Sequence, residues 1–196
     1  MRRAEIEYWD HMAKEKVFAN GLLADNIFKR PPILRSLLAY SWAREKVLEI
    51  GIGTATTAGA LRILNLGLWD YTGTDLSETF CEQARKFGLH TVQADVLNLP
   101  GEGYSRVIAL DSLEHVRPED REKGYSEIVR VMKERGVLFI NIPLSESAHD
   151  GEFDHGFDLS DLHRLEKAGL SLENYDTYEV FFQHIPRKYA MAVMHK

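Results

Sequence analysis

An α/β fold, in which a mostly parallel sheet is covered on both faces by helices, is what the sequence predicts, and three observations predict it. From Val47 onward short apolar runs alternate with segments of helical periodicity, the rhythm of repeated βαβ units. Glu49, Asp75, Asp95 and Asp111 stand at or near the carboxyl ends of those runs, where such sheets hold ligands. The first run opens into the glycine turn of VLEIGIGTATTAG, residues 47–59, in which Gly51 and Gly53 permit backbone angles or a close approach that a side chain would forbid. A helix starting near Thr54 would turn its free N–H groups toward that turn, making a cradle for the polar part of a nucleotide-like ligand.

Taken in order, Ile6, Trp9, Ala13 and Val17 share a helical face, so residues 3–18 read as an amphipathic helix with Glu5, Lys14 and Glu15 on its polar side. Asn20-Gly21 breaks it, and a short helical piece over 22–29 stops at Arg30-Pro31-Pro32, because a residue before proline is pushed out of the helical region. Pro32 then opens a helix over 33–42, proline being tolerated in a first turn. These segments precede the first strand and are expected to lie over the sheet edge or the ligand crevice. Strand 47–50 leads to a helix ending near Leu66; strand WDYTGT ends at Asp75, and Ser77 caps a helix through Phe87 closed by Lys86 and Gly88. HTVQA is a third strand, ending at Asp95, and residues 104–110 a fourth, ending at Asp111. Pro118 opens a helix with Tyr125, Ile128, Val129 and Met132 on one face, and Gly136 leads into VLFINI. After Pro143 the polar stretch LSESAHDGEFDHGFD is too long for a tight connection; Asp158 or Ser160 caps a helix over 162–168 that Gly169 stops. LENYDTYEVFF and KYAMAVMHK are strand-like runs joined by QHIPR with no helix between, which implies an antiparallel pair.

A chain of 196 residues fits a single domain, 1–196, with the helices in 3–42 as its cap. Its 44% hydrophobic and 28% charged residues are those of an ordinary soluble globular protein, and a net charge of -6 opposes non-specific attraction to phosphate backbones, so bulk charge favours a small-molecule or protein substrate. The start, MRRAEIEYWD, turns acidic where a signal peptide needs an apolar core, and no apolar run reaches about 18 residues, so a cytoplasmic protein without a membrane span is expected. Cys81, the one cysteine, permits no internal disulfide and no thiolate metal cluster; among helix-spaced apolar positions it reads as a buried structural thiol.

A nicotinamide-binding turn, G-x-G-x-x-G, would need glycine or alanine where this chain has Thr56. The observed order, Glu49-x-Gly51-x-Gly53-x-Ala55, resembles the first motif of the class I S-adenosylmethionine-dependent methyltransferases of small-molecule type, with Ala55 in place of their usual third glycine. The resemblance continues through Asp75 in YTGTDLS, Asp95 in QADVLNLP, the DxLEH-like segment at 111–115, RVMKERGVLFINIP and FDLSDLHRLEKAGL. It implies a Rossmann-like three-layer sandwich whose seven-stranded sheet has the order 3-2-1-4-5-7-6, the terminal antiparallel hairpin supplying the reversed strand. It also implies S-adenosylmethionine as cofactor and S-adenosylhomocysteine as product. Carried over residue by residue, Gly51 and Gly53 surround the methionine part, Glu49 is linked directly or through water to its amino group and Asp75 takes the ribose hydroxyls. Leu76 packs on the adenine, Asp95 lies near its amino group, Val96 flanks the ring, and Asp111 completes the cofactor-side set.

His115 lies close to where a methyl acceptor would sit, and a neutral imidazole there can remove a hydroxyl or amine proton; a structural or cofactor-side role is equally open, because LEH is widespread in the superfamily. His149, Asp150, Asp154 and His155 are the ingredients of a metal site or an acid–base pair, but no spacing such as H-E-x-x-H is present, so a solvated or substrate-lining loop without metal is favoured, with His149 and His155 on the substrate side. Tyr8 is expected to cover the cofactor or acceptor from the first helix, whereas Trp9 reads as an anchor to the core and Arg30 and Arg35 as surface residues. Enzymes that methylate exocyclic amines of DNA bases carry D/N/S-P-P-Y/F/W after strand four, where this chain has DSLE, and those that methylate cytosine carbon need a cysteine there, whereas Cys81 lies elsewhere. A small-molecule acceptor at oxygen, nitrogen or carbon is left. Two other classes stay open: a non-catalytic cofactor-binding or scaffold subunit, and a nicotinamide-dependent oxidoreductase, which Thr56 and the terminal hairpin oppose.

Overall fold

Strand β1 (Lys46–Ile50) is buried at every position after its first, as a strand covered on both faces must be, and its apolar run carries one charge after that position, Glu49. The computed structural model describes residues 3–15, 27–66, 68–144, 153–182 and 185–196. Helices α1 (Arg3–Glu15) and α2 (Pro31–Leu38) precede β1. After it come α3 (Thr56–Ile63), β2 (Asp70–Asp75), α4 (Glu78–Lys86), β3 (Thr91–Gln93), β4 (Tyr104–Leu110), α5 (Arg121–Val131), β5 (Met132–Pro143), α6 (Leu159–Lys167), β6 (Ser171–Phe182) and β7 (Ile185–His195). The strands form one seven-stranded sheet in the expected order, β3-β2-β1-β4-β5-β7-β6. Pairings β1–β2, β2–β3 and β4–β5 are parallel, and β7 runs antiparallel to both β5 and β6. By packing, the chain divides into two compact units, Met1–Asp95 and Val96–Lys196. Among the described residues no helix is long and apolar enough to cross a membrane.

In the first unit Val47, Leu48, Ala58, Leu61 and Cys81 are fully buried. Burial pushes the Cys81 thiol up to about 12, which makes it a packing residue rather than a nucleophile. On α1, Ala13 is buried and Ile6 and Trp9 are half-buried, but Glu5, expected on the polar side, is buried too: it lies one helical turn before Trp9 and shares the packed face. The expected continuation of this helix to 18 and the turn at 20–21 fall outside the described residues. Helix α2 stops at Leu38 instead of reaching Trp42, whose indole N–H folds back to donate to the Leu37 carbonyl at 2.7 Å. Helix α3 likewise ends before Leu66, with Asn65 in the left-handed region at φ 53°. Ser77 caps α4 as expected, its hydroxyl accepting from the Phe80 N–H at 3.2 Å.

In the second unit the centres of β4 and β5 are fully buried at Val107, Ile108, Ala109, Leu138, Phe139 and Ile140. Pro118 opens a 3₁₀ turn (Pro118–Asp120) and α5 follows at Arg121, with Tyr125, Ile128, Val131 and Met132 buried and Val129 half-buried. Strand β5 begins at Met132, ahead of the expected Gly136. The register with β4 jumps from Tyr104↔Met132 to Arg106↔Val137, and Gly136 fits the bend because an added Cβ would meet the Lys133 carbonyl oxygen at 2.8 Å. Of the two expected caps for α6, Asp158 does the work in a capping box with Asp161. Strand β5 pairs with β7 only from Tyr189 to His195, whereas the β6–β7 ladder continues outward to Phe182↔Ile185.

Candidate functional site

At the end of β1 the chain turns through residues 51–55 into α3. Gly51 stands at φ 72° and Gly53 at φ 44°, and the Gly51 and Ile52 N–H groups both donate to the Thr74 carbonyl, at 2.8 and 2.9 Å. Nothing lies within 4 Å of where a Cβ of Gly53 would stand, so the turn borders open space. Ala55, in place of the usual third glycine, holds φ 56°, and it caps α3 without a side-chain hydrogen bond. The leading N–H groups of α3 therefore receive no cap from the Ala55 side chain, the condition for accepting a ligand's polar atoms.

Asp75 closes β2 at the same end of the sheet. Its Oδ2 accepts the Gly53 N–H and its Oδ1 the Ser77 N–H, each at 2.9 Å, which ties the glycine turn to the start of α4. A carboxylate accepts through both of its oxygens, the property that binding a pair of hydroxyls requires. Leu76 is half-buried and its carbonyl accepts from Gln93 Nε2 at 2.9 Å; Asp95 follows β3, half-buried.

Glu49 is 3% exposed, and the Tyr71 hydroxyl donates to its Oε2 at 2.6 Å. Burial pushes the Glu49 carboxyl up to about 7; hydrogen bonds from Tyr71 and Thr57 oppose that rise and the charge of Asp75 adds to it. Helix α1 reaches the same region. Asp10 accepts the Ser77 hydroxyl proton and the Thr79 N–H, the latter at 3.2 Å, and Gln83 Nε2 donates to the Ala13 carbonyl at 2.9 Å. Tyr8 is half-buried on α1, edge-to-face with Trp9 at a centroid distance of 4.9 Å.

The second unit holds the remaining residues. Val96 is buried and packs on α5, where a Cβ at Gly124 would meet its Cγ1 at 3.4 Å. Asp111 adopts φ 53° and is held by Asn141 of β5: its N–H donates to the Asn141 carbonyl at 2.6 Å and its Oδ1 accepts from Asn141 Nδ2 at 2.7 Å. Asn141 Oδ1 in turn accepts from the Tyr178 hydroxyl at 2.5 Å.

His115 lies in a 3₁₀ turn (Leu113–His115), and its Nδ1 is 2.7 Å from Asp154 Oδ1 and 3.3 Å from the Phe153 carbonyl oxygen. A ring nitrogen facing two oxygen acceptors carries the proton, which makes Nε2 the acceptor of the neutral ring. Nε2 is 3.9 Å from Glu114 Oε1. Burial works to lower the His115 pKa, but the Asp154 hydrogen bond and the charges of Glu114 and Asp154 outweigh it and the net direction is up. Glu114 is 2% exposed; burial raises its pKa, and its Oε2, like the Ser112 hydroxyl, is buried without a hydrogen-bond partner among the described residues.

The segment carrying Asp154 is fastened by one guanidinium. Arg121 donates through Nε to the Val116 carbonyl at 3.1 Å, through Nη1 to Asp161 at 2.7 Å, and through Nη2 to the carbonyls of His155, at 3.3 Å, and Gly156. The His155 N–H donates to the Glu114 carbonyl at 3.0 Å while its side chain is exposed. His149 and Asp150 lie outside the described residues. No group of three His, Cys, Asp or Glu side chains among the described residues is placed to hold a metal ion.

The structure thus joins Gly53 with Asp75 in one unit and His115 with Asp154 in the other. Four partners went unassigned in the sequence: Tyr71, Asp10, Asn141 and Arg121. A polar residue inside an apolar strand run was the one available signal for Asn141. The open space at Gly53, the α3 start without a side-chain cap and the carboxylates of Glu49 and Asp75 fit a ligand with a sugar and an ammonium group.

Comparison with known proteins bears on that fit. Residues 47–136 match the family model described as a methyltransferase domain. No curated protein sequence matches the chain at a significant level. Among solved structures the fold is similar to that of magnesium protoporphyrin IX methyltransferase from Synechocystis PCC 6803 with bound S-adenosylhomocysteine, at TM-score 0.74 and 13% identity with 100% of each chain covered. It is also similar to an S-adenosylmethionine-dependent methyltransferase from Mesorhizobium loti, at TM-score 0.64 and 13% identity, covering 86% of this chain and 98% of the other. The [4+2]-cyclase SpnF shares it as well, at TM-score 0.63 and 17% identity, with 84% and 80% covered. At such identities the likeness is one of fold.

Proposed function

We propose, from the premise that the chain is a class I S-adenosylmethionine-dependent methyltransferase, that it methylates an oxygen, nitrogen or carbon of a small molecule and that His115 is the base. The observation that carries the acceptor side is the His115–Asp154 pair. S-Adenosylmethionine supplies an activated methyl group for in-line displacement and leaves as S-adenosylhomocysteine. His115 Nε2 takes the acceptor's proton, and Asp154, as a positioning residue, holds the ring and stabilises the imidazolium that forms.

On the cofactor side, Glu49 meets the ammonium group, the backbones of Gly51 and Gly53 admit the methionine part, and Asp75 takes the ribose hydroxyls. Leu76 and Val96 flank the adenine, Asp95 lies by its amino group and Asp111 supports the set. Residues 1–196 act as one domain in which the helices within 3–42, with Tyr8, close over the cofactor crevice, and His149 and His155 serve the acceptor. A net charge of -6 and the fold neighbour named for magnesium protoporphyrin IX support a small molecule over nucleic acid.

Release of S-adenosylhomocysteine, measured across a panel of small phenols, carboxylic acids and amines, tests this. His115→Gln is expected to lower kcat roughly 10²- to 10³-fold with cofactor affinity unchanged. Asp154 raises the proton affinity of the imidazole, so Asp154→Asn should let the ring lose its proton at lower pH and move the acid limb of the rate profile downward. Full turnover in His115→Gln, or no acceptor above the background of cofactor hydrolysis, refutes the proposal.

A further inference from the structure

We infer that Tyr71 is a positioning residue for the cofactor's amino group, acting through Glu49, and that Gly73 leaves room for both Ile52 and the Tyr71 hydroxyl. The inference rests on the reading that Glu49 meets that group. In the parallel register Val47 lies opposite Tyr71 and Glu49 opposite Gly73, so Tyr71 is the diagonal neighbour of Glu49 on the same face of the sheet. Its hydroxyl crosses to Glu49 Oε2 at 2.6 Å, the length of a hydrogen bond to a charged acceptor. A Cβ on Gly73 would stand 3.0 Å from that hydroxyl and 2.5 Å from Ile52 Cγ2. Gly73 is not in the left-handed region, so what the position requires of glycine is room.

The chemistry needs such a donor. A carboxyl that is 3% exposed tends to keep its proton, and a protonated carboxyl is a poor partner for an ammonium. The groups acting on Glu49 are Tyr71 and Asp75 from β2 and Thr57 from α3; two of them donate to it and Asp75 repels it. Tyr71 stays a donor, because burial and the neighbouring Glu49 charge raise its own pKa well above the ordinary phenol value. Two hydroxyl donors leave a carboxylate the capacity for a further one, now in a fixed orientation.

Calorimetry with S-adenosylhomocysteine and with 5′-methylthioadenosine, which has the nucleoside and sulfur but no amino-acid part, separates this role from a structural one. Tyr71→Phe is expected to weaken S-adenosylhomocysteine roughly tenfold and 5′-methylthioadenosine less than about twofold. Equal weakening of both ligands, or of neither, in the folded Tyr71→Phe protein overturns the inference. If Glu49→Gln is selective and Tyr71→Phe is not, this inference alone fails; if Glu49→Gln itself leaves S-adenosylhomocysteine unaffected, the reading of Glu49 beneath it fails.

Discussion

Glu49 carries two pH dependences of opposite sign. Its carboxyl, ordinarily near 4.5, is held at about 7 in the folded chain by burial. Below 4.5 both folded and unfolded chains keep the proton; between 4.5 and 7 the unfolded chain loses it first, so stability from this group, on the order of 3 kcal/mol, is lost as pH rises through the folded value. Binding of an ammonium needs the ionised form, so affinity for S-adenosylhomocysteine should climb over the same interval and level off above it. Melting temperature and calorimetry, both measured from pH 5 to 8, should therefore slope in opposite directions, and Glu49→Gln should flatten both. Parallel slopes, or slopes that survive in Glu49→Gln, would show that some other group is responsible. The charge in an apolar run marked this residue in the sequence, but not the state of its proton, which depends on Tyr71, Thr57 and Asp75 from other elements.

Helix ends were legible where the cap is local and obscure where it comes from afar. Ser77 and Asp158 announce their helices because each bonds within its own first turn. The start of α4 has a second cap that no window of sequence displays: Asp10, from α1, takes the Thr79 N–H and the Ser77 hydroxyl. A carboxylate there also opposes the positive end of the helix dipole. Asp10→Ala should cost about 1 kcal/mol, and in a double-mutant cycle with Ser77→Ala the losses should not add, as measured by urea unfolding. Additive losses would mean that the two side chains cap independently. Helix α2 shows the reverse error, running short of its expected end because the Trp42 indole turns back onto Leu37.

Across the whole chain, strand direction could be read ahead because βαβ alternation makes neighbours parallel and two strands with no helix between them pair antiparallel, whereas the order β3-β2-β1-β4-β5-β7-β6 followed from the resemblance to the methyltransferase family. The glycine turn and Asp75 lie together, joined by the Gly53–Asp75 hydrogen bond. Tyr71 and Asn141 escaped because pairing across strands depends on register, and Arg121 and the pairing of Asp154 with His115 because a contact between a loop and a turn has no period to detect. The terminal ribbon sets how stability is distributed. From Tyr189 to His195 strand β7 has neighbours on both sides, and the Lys188 carbonyl still accepts the Leu144 N–H at 3.0 Å just past β5, whereas the pairs from Val180↔Arg187 to Phe182↔Ile185 lie beyond the β5–β7 register. A two-stranded ribbon is marginal in water, so amide deuteration should proceed from the tip inward, with outer amides exchanging through local fraying and those at 190–194 only through global unfolding. Uniform protection along β7 would mean that something else holds the tip in place. The same gradient makes the tip the place where a reporter sequence can be spliced in without disturbing the folded body.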